Sequence, residues 1–144
     1  MTQVFKLVRP VEFNHCDPAG IVFYPRYFEM ISAVTERFLA DDVGYGWAEM
    51  MREHRHGTPL GEISARFHAP SRLADVLEFS LTIDQLGRSS AKLLIECYCG
   101  REHRFSCIAT VVYINLDTGK AAPWPDAPRA KMQTYLAAAS AHSS

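Results

Sequence analysis

One acidic side chain near the start of the chain stands in a setting that suits chemistry. Asp17 lies in the stretch HCDPAGIVFYP, residues 15–25, where Pro-Ala-Gly separates it from a run of apolar and aromatic residues. A plain surface connector would be polar throughout, because its backbone and side chains both prefer water. A carboxylate at such a turn suits a nucleophile or a general base, although an Asx turn that only stabilises the loop uses the same residue types.

The helix that follows is predicted to begin at Pro25 without a capping side chain. Proline is favoured at the first helical position, and Tyr24 is a poor cap because its hydroxyl cannot reach back to the first-turn amides. The N–H groups and the positive end of the helix dipole are therefore free to bind an anion, or a carbonyl oxygen that is becoming one. Asp17 and this helix start together offer a base or nucleophile and an oxyanion hole, and acyl transfer needs both.

Two further groups of residues could do chemistry, and each has a simpler interpretation. The ligand types of a zinc site occur at Cys97, Cys99, His103 and Cys107. Cys97 and Cys99 fall on the apolar face of a predicted strand, however, where free cysteine behaves as a small hydrophobe. His15 could act in a Cys–His pair or bind a metal, but a histidine at the flank of a polar loop is usually solvated. We therefore predict no metal site and no cofactor.

The elements that position these residues follow from hydrophobic periodicity. Apolar residues recur at three- and four-residue steps from Pro25, which predicts a long helix ending near residues 41–44. A second short helix is predicted over residues 47–56, and a closing helix over residues 126–141. Alternation of apolar and polar residues with a period of two indicates the strands. One further run is apolar on both faces, which predicts a central strand. The predicted strands cover residues 4–8, 63–68, 77–84, 93–98 and 105–115.

This order of elements predicts a single α+β domain over residues 1–144. A helix that is apolar around much of its circumference needs a sheet around it, and the short hairpin turns between the strands make that sheet antiparallel. We therefore expect a five-stranded antiparallel sheet wrapped around a long central helix.

Composition excludes several classes of function. Hydrophobic residues at 48% and charged residues at 22% are ordinary for a globular protein, and a net charge of −1 offers no basic surface for nucleic acid or anionic membrane. We find no secretion signal and no apolar run near the roughly 20 residues that span a bilayer. The four cysteines show no secreted framework. We expect a cytoplasmic protein that binds neither nucleic acid nor membrane.

The stretch DPAGIVFYPRYF, with Asp17, Gly20, Tyr24 and Pro25 in place, resembles the 4-hydroxybenzoyl-CoA thioesterase family of hot-dog-fold enzymes. The resemblance extends over nearly the whole chain. It implies hydrolysis of an acyl-CoA to a free acid and CoA, with no metal or cofactor. Asp17 would be the catalytic carboxylate, attacking the thioester or activating water, and the Tyr24 backbone N–H would polarise the thioester carbonyl.

The same resemblance implies binding roles for further residues. Gly20, Ser32 and Thr58 are expected to bind the substrate. Ser32 stands where family members that use hydroxylated benzoyl groups have a carboxylate, so an aromatic acyl group remains one possibility beside short aliphatic or phenylacetyl-like groups. The CoA phosphates would meet a thinned basic cluster, which is reduced here to Arg88, Ser89 and Ser90.

The resemblance also implies a homodimer whose two sheets join, with the substrate at the interface and Thr58 supplied by the second subunit. We expect two such dimers to form a homotetramer. Two other functions stay open at this point. A hot-dog dehydratase or hydratase acting on acyl thioesters would need a histidine paired with an acid, and only His15 is near Asp17. A non-catalytic acyl-CoA-binding protein would have no need of Asp17.

Overall fold

The structure, a computed structural model, describes residues 2–137, and these form a five-stranded antiparallel sheet, a two-stranded sheet and three α-helices. The strands are β1 (Phe5–Pro10), β2 (His56–Gly57), β3 (Leu60–Phe67), β4 (Val76–Leu86), β5 (Ser90–Cys99), β6 (Glu102–Val112) and β7 (Ile114–Asn115). The helices are α1 (Pro25–Arg37), α2 (Trp47–Glu53) and α3 (Asp126–Gln133). No helix within residues 2–137 is long and apolar enough to cross a membrane.

The main sheet has the strand order β1-β4-β5-β6-β3, so that β1 and β3 are its edges. Short turns join β4 to β5 and β5 to β6, which places sequence neighbours side by side in antiparallel pairs. Alternate residues of these strands are buried in one core with α1. The predicted α+β class and the sheet around a central helix are confirmed.

Helix α1 begins at Pro25, as its sequence predicts, and its buried residues follow the helical repeat. They are Tyr27, Met30, Ile31, Val34 and Thr35. The helix continues as a π-helical segment over Phe38–Val43 and ends at Gly44, whose φ of +78° lies in the left-handed region that favours glycine. The predicted end near residues 41–44 is therefore confirmed.

The strand predicted over residues 105–115 is interior, as expected, but it is not continuous. Its partner β3 begins at Leu60, so Pro59 O is the last acceptor on that side, and it receives the Val112 N–H at 3.1 Å. The Tyr113 N–H turns instead to Ser89 O at 2.7 Å, and the chain then pairs with β2. The prediction of one strand through residue 115 was wrong because the partner strand stops first.

Two predicted helices end earlier in the structure than in the sequence pattern. Helix α2 stops at Glu53 because Arg55 has a left-handed φ of +57° and the next residue enters β2. Helix α3 stops at Gln133 because the following segment bonds to β4, with the Ala137 N–H donating to Ile83 O at 2.7 Å. The last part of that predicted helix, residues 138–141, lies outside the described residues.

Candidate active site

The segment around Asp17 forms a tight backbone turn that we call the Asp17 loop, residues 16–22. The Asp17 N–H donates to Ile21 O, and the Gly20 N–H donates to Asp17 O, both at 2.9 Å. Gly20 has a φ of +79°, a conformation that a side chain would strain. The half-buried Asp17 carboxylate accepts the Ala19 N–H through Oδ1 at 2.9 Å, which is an Asx turn.

The start of α1 presents one free backbone donor. Pro25 has no N–H, and the Arg26 and Tyr27 N–H groups donate to Phe23 O and Tyr24 O at 2.8 and 3.1 Å. No side chain caps the helix. Within the part of the chain that the structure describes, no backbone carbonyl accepts the Tyr24 N–H. The predicted oxyanion donor is thus the N–H that this helix start leaves unused.

A hydrogen bond ties the approach to this helix to the entrance of the Asp17 loop. The Phe23 N–H donates to His15 O at 2.9 Å, and Cys16 forms an isolated bridge with Val22. His15 also accepts the Glu12 N–H through Nδ1 at 2.8 Å. One ring nitrogen of His15 is therefore already used to cap the short 3₁₀ turn before the loop.

A cavity of about 240 Å³ lies along α1, one turn and more beyond Tyr24. It brings together Ser32 and Thr58, two of the predicted substrate-binding residues. Neither Asp17 nor Tyr24 lines it. The lining residues are Phe28, Ile31, Ser32, Thr35, Trp47, Thr58, Leu60, Ile63 and Val111. The resemblance implied that Thr58 comes from a second subunit, but a single chain is enough to place Thr58 beside Ser32.

Trp47 belongs to this cavity although the sequence offered no signal for it. Its Nε1–H donates to Thr58 Oγ1 at 2.7 Å, so the indole forms one wall and fixes the orientation of the threonine. A hydroxyl that accepts one bond still has its own proton to donate. Thr58 can therefore offer a hydrogen-bond donor to a group in the cavity.

The three predicted CoA-binding residues lie together at the β4–β5 turn, and none of them lines this cavity. Their carbonyls are engaged: the Tyr113 N–H donates to Ser89 O at 2.7 Å, and Trp124 Nε1–H donates to Ser90 O at 3.1 Å. The Arg88 side chain is exposed. Arg129 of α3 adds a second cation, since its Nη1 donates to Gly87 O at 2.7 Å. Arg129 is 42 residues from Gly87, so no local pattern could have indicated it.

The cysteine and histidine set does not converge. Cys97 and Cys107 are buried on the inner face of the sheet, where burial raises the pKa of each thiol to about 12. His103 stacks on Tyr98 on the other face, with ring centroids 4.5 Å apart. Among the residues placed by the structure, no cluster of three or more His, Cys, Asp or Glu could hold a metal ion. These cysteines act as core side chains.

The model of the thioesterase-like superfamily matches residues 11–132. The chain belongs to this superfamily. Within it, the chain is 29% identical over 91 residues to the 4-hydroxybenzoyl-CoA thioesterase of Pseudomonas sp. (strain CBS-3). That match covers 62% of this chain and 64% of the relative, so the chain spans somewhat less than two thirds of that relative's length.

Several solved structures show the same fold. The 1,4-dihydroxy-2-naphthoyl-CoA thioesterase from Synechocystis superposes with a TM-score of 0.83 at 22% identity, covering 91% of this chain and 96% of that one. A gentisyl-coenzyme A thioesterase superposes with a TM-score of 0.78 at 26% identity, covering 90% and 99% of the two chains. A Staphylococcus aureus protein in complex with CoA superposes with a TM-score of 0.86 at 18% identity, covering 94% and 85%. The superfamily member described here therefore has the hot-dog fold.

Proposed function

We propose that this thioesterase-superfamily protein hydrolyses an acyl-CoA thioester to a free acid and CoA. Asp17 either attacks the carbonyl carbon, expelling the CoA thiolate and forming a mixed anhydride that water cleaves, or removes a proton from an attacking water. The Tyr24 N–H donates to the carbonyl oxygen as negative charge develops on it. Neither route needs a metal or a cofactor.

The observation that carries this proposal is the unused Tyr24 N–H beside the Asp17 loop. Its neighbours in the first turn are engaged or are proline, so the Tyr24 N–H is the donor that finds no acceptor among the described residues. The positive end of α1 strengthens that donor. A preorganised donor of this kind is worth more to an oxyanion than to a neutral carbonyl, which is the differential binding that catalysis requires.

The cavity along α1 is the proposed site for the acyl group. An acyl carbonyl at Tyr24 would point its chain or ring toward Ser32, because the cavity begins at Phe28, one helical turn on. Its volume of about 240 Å³ suits an acyl group rather than a whole CoA ester. The relatives named above act on 4-hydroxybenzoyl, dihydroxynaphthoyl and gentisyl thioesters, and the Phe28 and Trp47 walls favour an aromatic acyl group here as well.

The CoA phosphates are proposed to lie at the β4–β5 turn. Arg88 is exposed there, Ser89 and Ser90 add hydroxyls, and Arg129 contributes charge from α3. Charge-assisted hydrogen bonds from arginine are well suited to phosphate oxygens. We also propose that the protein works in the cytoplasm, in agreement with its four free cysteines.

A thiol-release assay over a panel of aromatic and aliphatic acyl-CoA substrates tests this function. We expect Asp17→Asn to keep its fold and its binding of CoA while kcat falls by at least about 10²-fold, the scale of a general base. Glu36→Gln, which neutralises an exposed carboxylate on α1, serves as the matched control and should retain wild-type kcat. Equal kcat in Asp17→Asn would remove Asp17 from the mechanism, and absence of thiol release from every substrate would contradict the proposed function.

A further inference from the structure

The Asp17 loop rests on a second loop, residues 71–75, which we call the docking loop. Two backbone hydrogen bonds join them: the Val22 N–H donates to Ser71 O at 2.8 Å, and the Leu73 N–H donates to Gly20 O at 3.0 Å. Ile21 and Arg72 form an isolated bridge between these bonds. The orientation of the Asp17 loop is therefore set by the position of the docking loop.

A network of side-chain hydrogen bonds joins the docking loop to the core of the protein. Ser71 is 1% exposed, and its Oγ accepts from Tyr27 OH at 2.8 Å and from Arg104 Nη1 at 3.1 Å. The same Arg104 nitrogen donates to Asp75 Oδ2 at 2.7 Å. Asp75 Oδ2 also accepts the Arg72 N–H at 2.9 Å. The network thus joins both ends of the docking loop to α1 and to β6.

Charge burial makes this network difficult to rearrange. Arg104 is only 9% exposed, and a buried guanidinium is costly unless it is paired and hydrogen-bonded. The hydrogen bond from Arg104, followed by that from the Arg72 N–H, holds the pKa of the Asp75 carboxyl below its ordinary value. At neutral pH the two groups therefore form an ion pair, with Arg104 Nη1 2.7 Å from Asp75 Oδ2.

The backbone of the docking loop supports the same conclusion. Ala74 has a φ of +76°, a left-handed conformation that is unfavourable for a residue with a Cβ. Its N–H donates to Val11 O at 3.0 Å, and the Val11 N–H donates to Asp75 O at 2.8 Å. Such a conformation persists only when its surroundings over-determine it. The docking loop is thus fixed on both sides.

We propose that Arg104 and Asp75 are positioning residues that hold the docking loop, and through it the Asp17 loop, in the orientation that catalysis needs. The inference rests on the proposed function for the role of the Asp17 carboxylate. Neither residue lines the cavity along α1 that is proposed for the acyl group. Catalytic rates respond to displacements of about 1 Å caused by distant changes, so loosening the docking loop lowers kcat more than it weakens substrate binding.

The experiment compares Asp75→Asn with Glu102→Gln. Glu102 is the matched control because its Oε1 lies 2.6 Å from Arg104 Nε, its side chain is 59% exposed, and it makes no bond to the docking loop. Hydrogen exchange is measured at pH 7 for the amides of residues 17–22, and kcat and KM are measured for one acyl-CoA. In Asp75→Asn we expect exchange of these amides to quicken by about tenfold and kcat to fall by about tenfold, with KM within about twofold. Glu102→Gln should match the wild type in all three.

The conservative variant Arg104→Lys keeps the charge and should retain more of kcat than Arg104→Met, which a loss of packing alone would not produce. Wild-type exchange of residues 17–22 in a folded Asp75→Asn would overturn the proposal, as would a raised KM with unchanged kcat. If Asp75→Asn does not fold, Ser71→Ala is judged by the same criteria. A wild-type protein that releases no thiol contradicts the proposed function instead, and the exchange measurement then decides the coupling between the loops by itself.

Discussion

One carboxylate oxygen of Asp17 is engaged within its own turn. Oδ1 accepts the Ala19 N–H and so stabilises its own turn, as an Asx-turn residue would. A carboxylate has capacity for several hydrogen bonds, so the engaged oxygen does not exhaust it. The turn-forming and catalytic interpretations of Asp17 are therefore compatible, because the bond that fixes the side chain also fixes the direction of the second oxygen.

Ser32 leads to a prediction about ring hydroxyls. It supplies a neutral hydroxyl to the cavity along α1, and one hydrogen bond from such a hydroxyl to a ring hydroxyl contributes roughly 0.5–1.5 kcal/mol. We expect kcat/KM for benzoyl-CoA and 4-hydroxybenzoyl-CoA to differ by no more than about 2- to 13-fold. Ser32→Ala should abolish that difference and leave benzoyl-CoA hydrolysis unchanged. A preference of several hundredfold for the hydroxylated ring would mean that another polar residue reads it.

At the level of elements, the position of Asp17 depends on contacts between two loops and one strand. The Asp17 loop follows β1, the docking loop precedes β4, and Arg104 stands on β6. Backbone hydrogen bonds join the first two loops, and one ion pair joins the second to the strand. The orientation of the Asp17 loop thus depends on elements that are distant in sequence, in addition to the hydrogen bonds within the loop itself.

The ion pair between Arg104 and Asp75 should make the free energy of unfolding depend on pH. Arg104 lowers the pKa of Asp75 in the folded protein below its ordinary 3.8, so the ion pair stabilises the fold fully above that value and less as pH falls through the folded pKa. We expect the free energy of unfolding of the wild type to exceed that of Asp75→Asn by about 1–2 kcal/mol at pH 7. Urea unfolding at a series of pH values should show this difference shrinking below pH 3.8. A difference that is constant over the series would contradict the assignment.

At the scale of the whole molecule, the two edge strands of the main sheet differ in their aromatic residues: β3 exposes one and β1 buries its own. Edge strand β3 carries Phe67, which is 50% exposed. Its ring packs against that of Tyr24, which is 60% exposed, with the two ring centroids 6.2 Å apart. An open edge with aromatic side chains is a ready site for pairing with another strand. We propose that two copies of the chain join through β3, which would bring the start of α1 close to the second subunit.

A pair of lysine substitutions tests this arrangement. Phe67→Lys places a charge on β3, and Val8→Lys places one on β1 at a residue of similar exposure, 53%. We expect light scattering to give a dimer or tetramer for the wild type and for Val8→Lys. Phe67→Lys should weaken association by at least about tenfold. The activity per subunit of this variant should fall as it is diluted. A wild-type monomer, or an undisturbed Phe67→Lys assembly, would rule out β3 as the interface.

Much of the fold could be predicted from the sequence because its signals are local. Pro25 sets the start of α1, Gly44 allows its end, and a period of two marks β4 and β5. The Asp17 turn and the uncapped helix start were predicted for the same reason, since both depend on residues within about ten positions of one another. The predicted elements that the structure confirms are those in which the conformational preference of the residues and the pattern of buried positions favour the same secondary structure.

Tertiary structure decided whatever depends on which segments meet. The early end of β6 follows from where β3 begins, and the early end of α3 follows from bonds to Ile83. Thr58 joins Ser32 in one cavity, Arg129 reaches Gly87, and Arg104 pairs with Asp75 across 29 positions of sequence. No short pattern encodes these contacts, because their free energy depends on the desolvation and geometry that packing alone creates. The sequence by itself therefore determined the class of fold and the Asp17 turn, and only the tertiary structure decided what holds that turn in place.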